Sequence, residues 1–196
     1  MLVQFGLNCH AGCFSSIRKV CLTEALNMFA TLLQDLKQPE YIHVLINPLP
    51  VYGLLTACLG LVIALFMRSR PAQIATLALI VLTAASAWPV AYYGDEGYDR
   101  VLAMADSDGQ AWLKVHNHRV DQLIYFFYAT AVLAAIAIVA PLKWPRSRSA
   151  LAVITLVLAF ATVGAGAYIA YAGGRIRHRE FRNELPPSVP ADAEER

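Results

Sequence analysis

Four apolar stretches separated by short polar breaks dominate the chain, at residues 48–67, 72–93, 120–140 and 150–172. Each is close to the ~20 residues that a helix rising ~1.5 Å per residue needs to cross about 30 Å of hydrocarbon. Two of the breaks, MRSRPAQ and PLKWPRSRS, are tight and basic, so the stretches pair into two helical hairpins. The connection between the hairpins is longer and acidic. It predicts a turn or two of surface helix over 98–105, then a capping box from Ser107 and Gln110 that starts the third helix well before its apolar part. That helix is expected to project beyond lipid, carrying Trp112, Lys114, His116 and His118. Asn47 followed by Pro48 predicts the start of the first span, because asparagine caps well and proline loses nothing at the first helical position.

Upstream, Leu26, Phe29, Ala30, Leu33 and Leu36 recur at helical spacing within 23–37, opposite Asn27, Gln34, Asp35 and Lys37. This predicts a short interfacial helix lying against the membrane. Residues 1–27 differ in composition, holding Cys9, Cys13 and Cys21, and no secretory signal pattern is read in them. Met28 is expected to be the biological start. The run Cys9-His10-Ala11-Gly12-Cys13 invites a haem-attachment reading, but the histidine would have to follow the second cysteine, and Phe14 stands there. The proline-rich, charged segment NELPPSVPADAEER, 183–196, reads as a disordered tail. The expected division is a leader over 1–27, a four-helix transmembrane domain over 28–182 and a tail over 183–196.

Composition strengthens the membrane reading: 58% of the residues are hydrophobic and only 15% charged, well off the balance of a soluble globule. A net charge of +2, split between acidic and basic segments, is too small to recruit nucleic acid. Cys58 stands alone in an apolar run, so no disulfide framework is implied. The fold class expected is an all-α integral membrane four-helix bundle of two hairpins. Its partners would be the lipid bilayer and a second membrane protein or a second copy of the chain. Small residues let helices approach closely in lipid, so Gly53, Ala57, Gly60 and Ala64, and likewise Ala159, Thr162, Gly166, Ala170 and Gly173, are read as packing seams.

Helix counting places the chemistry. The start of span one, the end of span two, the start of span three and the end of span four must share one membrane face. On it fall His43, Asn47, Asp95, Glu96, Asp99, His116, His118, Arg119, Asp121, Arg175, Arg177, His178 and Glu180. The opposite face has Arg68, Arg70, Lys143, Arg146 and Arg148, without histidine or carboxylate. The positive-inside rule puts the compact basic turns in the cytoplasm, and hence the histidine face and both termini outside the bacterial inner membrane. Three stripes follow the helical rhythm and are expected to line a pocket at the bundle mouth. They are Gly164, Tyr168, Tyr171, Arg175 and His178; Trp88, Tyr92, Asp95 and Asp99; and His118, Gln122 and Tyr125.

Haem iron takes axial imidazoles from separate helices, which suits His43, His116 and His178, with Arg175 and Arg177 for the propionates of haem b. A bare transition metal would use the same histidines with Glu96 or Glu180, suited by ligand type to zinc, copper or iron. The alternative is a non-enzymatic accessory subunit or small transporter, in which Arg177 pairs with Glu96 or Asp95 and His116 with Glu180. Enzymatic motifs are lacking: no phosphate loop, nucleophile elbow or His-Glu-x-x-His helix occurs. The spans hold no ionisable residue at mid-depth, which counts against proton translocation.

From about Tyr41 to Phe181 the chain resembles bacterial four-helix membrane proteins related in pattern to the domain-of-unknown-function 2231 family. The pieces that carry the resemblance are His43, Asn47-Pro48-Leu49-Pro50, Gly94-Asp95-Glu96, His116 with Arg119, and above all Gly173-Gly174-Arg175-Ile176-Arg177-His178-Arg179-Glu180. The resemblance implies a four-helix fold and favours His116 over His118 as the inward residue, whereas the stripe alone favours His118. It brings no known activity. Pro48 departs from the pattern, standing where a histidine is expected. On the orientation given above, a cysteine introduced at Ser147 should resist a membrane-impermeant label applied to intact cells; ready labelling from outside would invert the topology.

Overall fold

A computed structural model of the chain describes residues 8–189, with side chains from Leu22 onward, and its regular structure is helical throughout the described residues. The side chains of the Cys9–Cys13 run and the whole of residues 190–196 therefore lie outside what is described. The helices are α1 (Asn8–Asp35), α2 (Pro39–Ile46), α3 (Leu54–Phe66), α4 (Arg70–Ala85), α5 (Ala87–Glu96), α6 (Tyr98–Met104), α7 (Ser107–Lys143) and α8 (Arg148–Arg177). A π turn, Leu49–Gly53, joins α2 to α3. Four stretches are long and apolar enough to cross a membrane: Pro39–Phe66, Arg70–Glu96, Ser107–Lys143 and Pro145–Arg177.

The first of these begins nine residues before the expected Pro48, at Pro39, which follows an extended Gln38 (φ −96°, ψ 118°). Asn47 closes α2 instead of opening a span: its backbone N–H donates to the His43 carbonyl, and Pro48 continues in helical conformation (φ −63°, ψ −23°). Pro48 and Pro50 each lack an N–H, so the helix widens into a π turn without stopping. The second stretch is interrupted for one residue at Ser86, between α4 and α5 and three residues before Pro89, while the backbone there stays helical (φ −63°, ψ −15°). α1 passes through residue 28 as one helix, and its side chains over 22–34 are all exposed, so Leu26, Phe29 and Leu33 do not pack on the bundle.

α3, α4, α7 and α8 pack in that cyclic order, each against the next and α8 back on α3. Their buried positions repeat at alternating three- and four-residue steps: Gln73, Leu77, Ile80, Ala84 and Ala87 on α4 and α5; Phe127, Thr130, Ala134 and Ala137 on α7; Ala152, Thr155, Ala159, Thr162 and Gly166 on α8. This is the rhythm of helices crossing at a shallow angle. The seams are narrow. A Cβ added at Gly53 or Gly60 would meet the Cγ2 of Thr83 or Thr76 on α4 at 2.9 or 3.0 Å, and one at Gly166 would meet Val51 and Phe127 at 3.0 and 3.1 Å. The Thr130 and Thr162 hydroxyls bond across the α7–α8 seam at 2.7 Å.

At one end of the bundle α7 and α8 run past the other helices and bury a second cluster of Trp112, Leu113, Val115, Ala172 and Ile176. Val189 packs against it from the otherwise irregular segment 183–189. The cap of α7 is Asp106, not Ser107: its carboxylate accepts from Gly109 N–H at 2.9 Å. Gln110 instead donates to the carbonyls of Leu102 and Ala105. The same carboxylate accepts two bonds of 2.8 Å from one Arg182 nitrogen, and Arg182 also donates to the carbonyls of Arg175 and Ile176 at the end of α8. Gly109 fits beneath this clamp because a Cβ there would lie 2.7 Å from both Asp106 Oδ1 and the Ile176 carbonyl.

The Arg182 hydrogen bond, with the Gly109 N–H and the nearby charge of Arg179, holds the Asp106 carboxyl at about 2, below its ordinary 3.8. A depressed carboxyl contributes stability above its unfolded value and loses it as pH falls through the folded one. The unfolding temperature in detergent should thus fall on acidification from 3.8 towards 2 more steeply in the wild type than in Asp106→Asn. Parallel curves would show that the clamp contributes nothing.

Candidate functional site

Two histidines dock on neighbouring helices in the same way. His43, on α2, places Nδ1 2.8 Å from the Val90 carbonyl of α5, and its ring lies over Gly94, where a Cβ would come within 2.9 Å of Nδ1. His116, on α7, places Nδ1 3.1 Å from the Ile169 carbonyl of α8, over Gly173, where a Cβ would come within 3.1 Å. In each case the carbonyl stands four residues before the glycine, so the imidazole rests on one bare turn of helix. A carbonyl oxygen only accepts, so Nδ1 carries the proton in both rings. In the neutral imidazole that leaves Nε2 with its lone pair free for a ligand.

Both rings line a cavity of about 510 Å³. Asn47, Asp95, Asn117, Met104 and Arg177 also line it, and an ion pair of 2.7 Å between Arg100 on α6 and Glu40 on α2 stands at its wall. The same two histidines border a smaller apolar pocket of about 60 Å³, walled by Pro50, Val51, Phe127 and Gly166. The π turn thus supplies part of the pocket wall. Arg177 donates to Met104 Sδ at 3.7 Å. Arg119, one turn beyond His116, is only 6% exposed; it donates to the Tyr168 carbonyl at 2.8 Å and lies over the Tyr168 ring at 3.7 Å.

Of the residues singled out from the sequence, His43, His116 and Arg177 come together here; His178, Glu180, Glu96 and Arg175 do not. α8 ends at Arg177, and His178 adopts an extended conformation (φ −95°, ψ 94°), so the chain leaves the helical rhythm before the third imidazole can turn inward. His178 bonds Glu180 at 2.8 Å and stacks on Phe181, all three exposed. The Glu180 backbone N–H and His178 together hold that carboxyl below its ordinary range. The expected pairing of His116 with Glu180 is therefore absent, and Arg177 makes no ion pair with Glu96. Among the described residues no three His, Cys, Asp or Glu side chains gather as a metal site.

The three stripes face outward for the most part. Trp88 is 63% exposed, and Tyr92, Tyr125, Tyr168 and Tyr171 are exposed with it, while a Cβ at Gly164 would meet open space. Asp95 alone of these stripes lines the cavity, and His116 lines it where His118 does not. The features that the spacing missed are the supports: the Gly94 and Gly173 platforms and the carbonyls of Val90 and Ile169. Only the glycines left a signal, as parts of the Gly-Asp-Glu and Gly-Gly runs.

Comparison with protein-family models, with curated proteins and with solved structures found no match to this chain. The fold and cavity are those of a helical bundle whose two hairpins each present a backbone-tethered imidazole to one shared space.

Replacing an interior helical glycine by alanine gains roughly 1 kcal/mol of helix propensity, whereas overpacking costs about 1–3 kcal/mol. Gly94→Ala and Gly173→Ala should accordingly lower the unfolding midpoint and shift the ¹⁵N signal of the overlying imidazole. Gly164→Ala, with nothing within 4 Å, should raise the midpoint. Imidazole signals unmoved in the first two variants would refute the platform.

Proposed function

We propose that this chain is a multi-pass protein of the bacterial inner membrane that binds haem b between His43 and His116 and serves electron transfer. One observation carries the reading: two imidazoles from different hairpins, each tied at Nδ1 to a backbone carbonyl, border one cavity, and among the described residues no three His, Cys, Asp or Glu side chains gather there as a metal site. Tethering of the distal ring nitrogen is how ligating histidines are oriented and made more basic. Protein sites for bare zinc, copper or iron use three or four side chains, whereas haem needs only two axial imidazoles. The donor set here fits the second requirement. When bound, the haem would supply the one-electron chemistry. The chain's own contribution is to hold both rings in one tautomer, to line one side of the site with apolar side chains, and to offer Arg177 to a propionate.

Membrane placement draws on the four long apolar stretches and on where the aromatics lie. Tyr52, Trp88, Tyr125 and Tyr168 are exposed towards the cavity end, and Phe66 and Trp144 at the end with the basic turns, as in the two interfacial belts of membrane proteins. The cavity would then open on the outer face, towards a membrane-protein partner or a second copy. The likeness to the domain-of-unknown-function 2231 pattern agrees with this arrangement at His43, Gly94, His116 and Gly173.

Protein purified in detergent from haem-replete cells should show a Soret band that shifts on dithionite reduction. His43→Ala and His116→Ala should each cut haem content by about tenfold or more, and His178→Ala should leave it unchanged. Colourless wild-type protein from such cells would end the haem reading.

A further inference from the structure

The outward turn of the Tyr168 stripe leaves a second cationic cluster with no role in the cavity. On the outer side of the α7–α8 seam, Arg119 lies 3.7 Å over the Tyr168 ring, and Arg175 lies 3.4 Å over the Tyr171 ring and 5.3 Å from the Trp112 ring. Each guanidinium gives one bond to a backbone carbonyl, Arg119 to Tyr168 and Arg175 to Tyr171. Neither forms an ion pair with a carboxylate of the described residues. Arg175 Nε and Trp112 Nε1 are buried with no acceptor at all. The cluster is thus rich in donors, carries two positive charges and is partly desolvated. Stacking on tyrosine faces offsets some of the cost of burial, but a buried cation without a counter-charge remains expensive. The Glu184 carboxylate accepts from the Tyr171 hydroxyl and not from either guanidinium.

Position says what the missing anion is. Tyr168 to Arg175 occupy the place where the apolar stretch of α8 gives way to its polar end, which is the depth of lipid headgroups. The two tyrosine rings remain 54% and 44% exposed, facing away from the bundle. One turn deeper on the same face, Gly164 leaves bare helix surface, with no atom within 4 Å of where a Cβ would be. We infer that this outer α7–α8 face binds the phosphate of an anionic phospholipid, with Arg175 as the cationic contact, the buried Arg119 adding its charge behind the Tyr168 ring, the tyrosines flanking the headgroup and the bare surface at Gly164 taking the start of an acyl chain. Basic pockets between membrane helices recognise anionic headgroups by this combination. The inference rests on the membrane placement proposed above but not on haem.

Native mass spectrometry of the full chain, incubated with an equimolar mixture of phosphatidylglycerol and phosphatidylcholine, tests it. Phosphatidylglycerol adducts should exceed phosphatidylcholine adducts by about fivefold or more. Arg175→Gln, at a half-buried position, should bring the two level while the unfolding midpoint stays in place. Arg119→Gln should do the same where it folds, but the inference does not depend on that variant. Millimolar inorganic phosphate should not displace the lipid. Equal retention of both lipids by the wild type, or a preference unchanged in Arg175→Gln, overturns the headgroup site. Displacement by phosphate would make the ligand a free anion and overturn the lipid. Retention of neither lipid would sink the membrane placement itself.

Discussion

Close approach of helix backbones is the constraint from which the rest of this structure follows. Lipid is as apolar as leucine, so burial of large side chains cannot hold membrane helices together as it holds soluble ones; contact must come from small residues that let surfaces meet. Here alanines, threonines and glycines recur along the α7–α8 and α3–α4 seams, between larger buried residues such as Leu54, Leu61, Leu77, Ile80 and Phe127. Inside, the Thr130 and Thr162 hydroxyls bond each other and Thr162 also the backbone, whereas the buried Thr155 hydroxyl finds no partner. Beyond the seams the same principle is turned to another end. At Gly94 and Gly173 the gap left by the missing side chain is filled by an imidazole. One rule, bare backbone against a neighbour, thus both closes the bundle and seats its histidines.

Length and hydropathy made the architecture legible, because four apolar stretches with two short turns admit little besides two hairpins. The convergence of His43 and His116 was legible too, since an even number of crossings returns them to one face whatever the packing. Which residues point inward was not. In a soluble protein an aromatic stripe at helical spacing usually marks the core, but in a chain whose helices are apolar on every side the rhythm of Tyr168 and Tyr171 carries no such sign. Small residues mark the inside, and Gly53, Ala57, Gly60, Ala64, Ala159, Thr162 and Gly166 do lie in the seams, whereas Ala170 is exposed. The failure at His178 has a different origin. Helical counting was extended one residue past the last helical position, and a single extended residue redirects everything beyond it. Asn47-Pro48 misled through proline itself, which breaks a ladder of hydrogen bonds without necessarily ending a helix.

The polar end is consolidated by a device separate from the cavity. Arg182, beyond the last span, reaches both the Asp106 cap of α7 and the final carbonyls of α8. This ties the projecting ends of the second hairpin at its open side, where the PLKWPRSRS turn closes the other. Neither end of that hairpin is free to splay. In the first hairpin the Glu40–Arg100 ion pair and the contact of α2 with α5, with His43 lodged between them, play the corresponding part.

Each imidazole is gripped within its own hairpin, His43 by α5 and His116 by α8. The bundle therefore works like a calliper whose two jaws are rigid and whose opening is governed elsewhere, by the way α4 leans on α7 and α3 on α8. Sliding one hairpin against the other would change the gauge between the rings while leaving every bond at each ring intact.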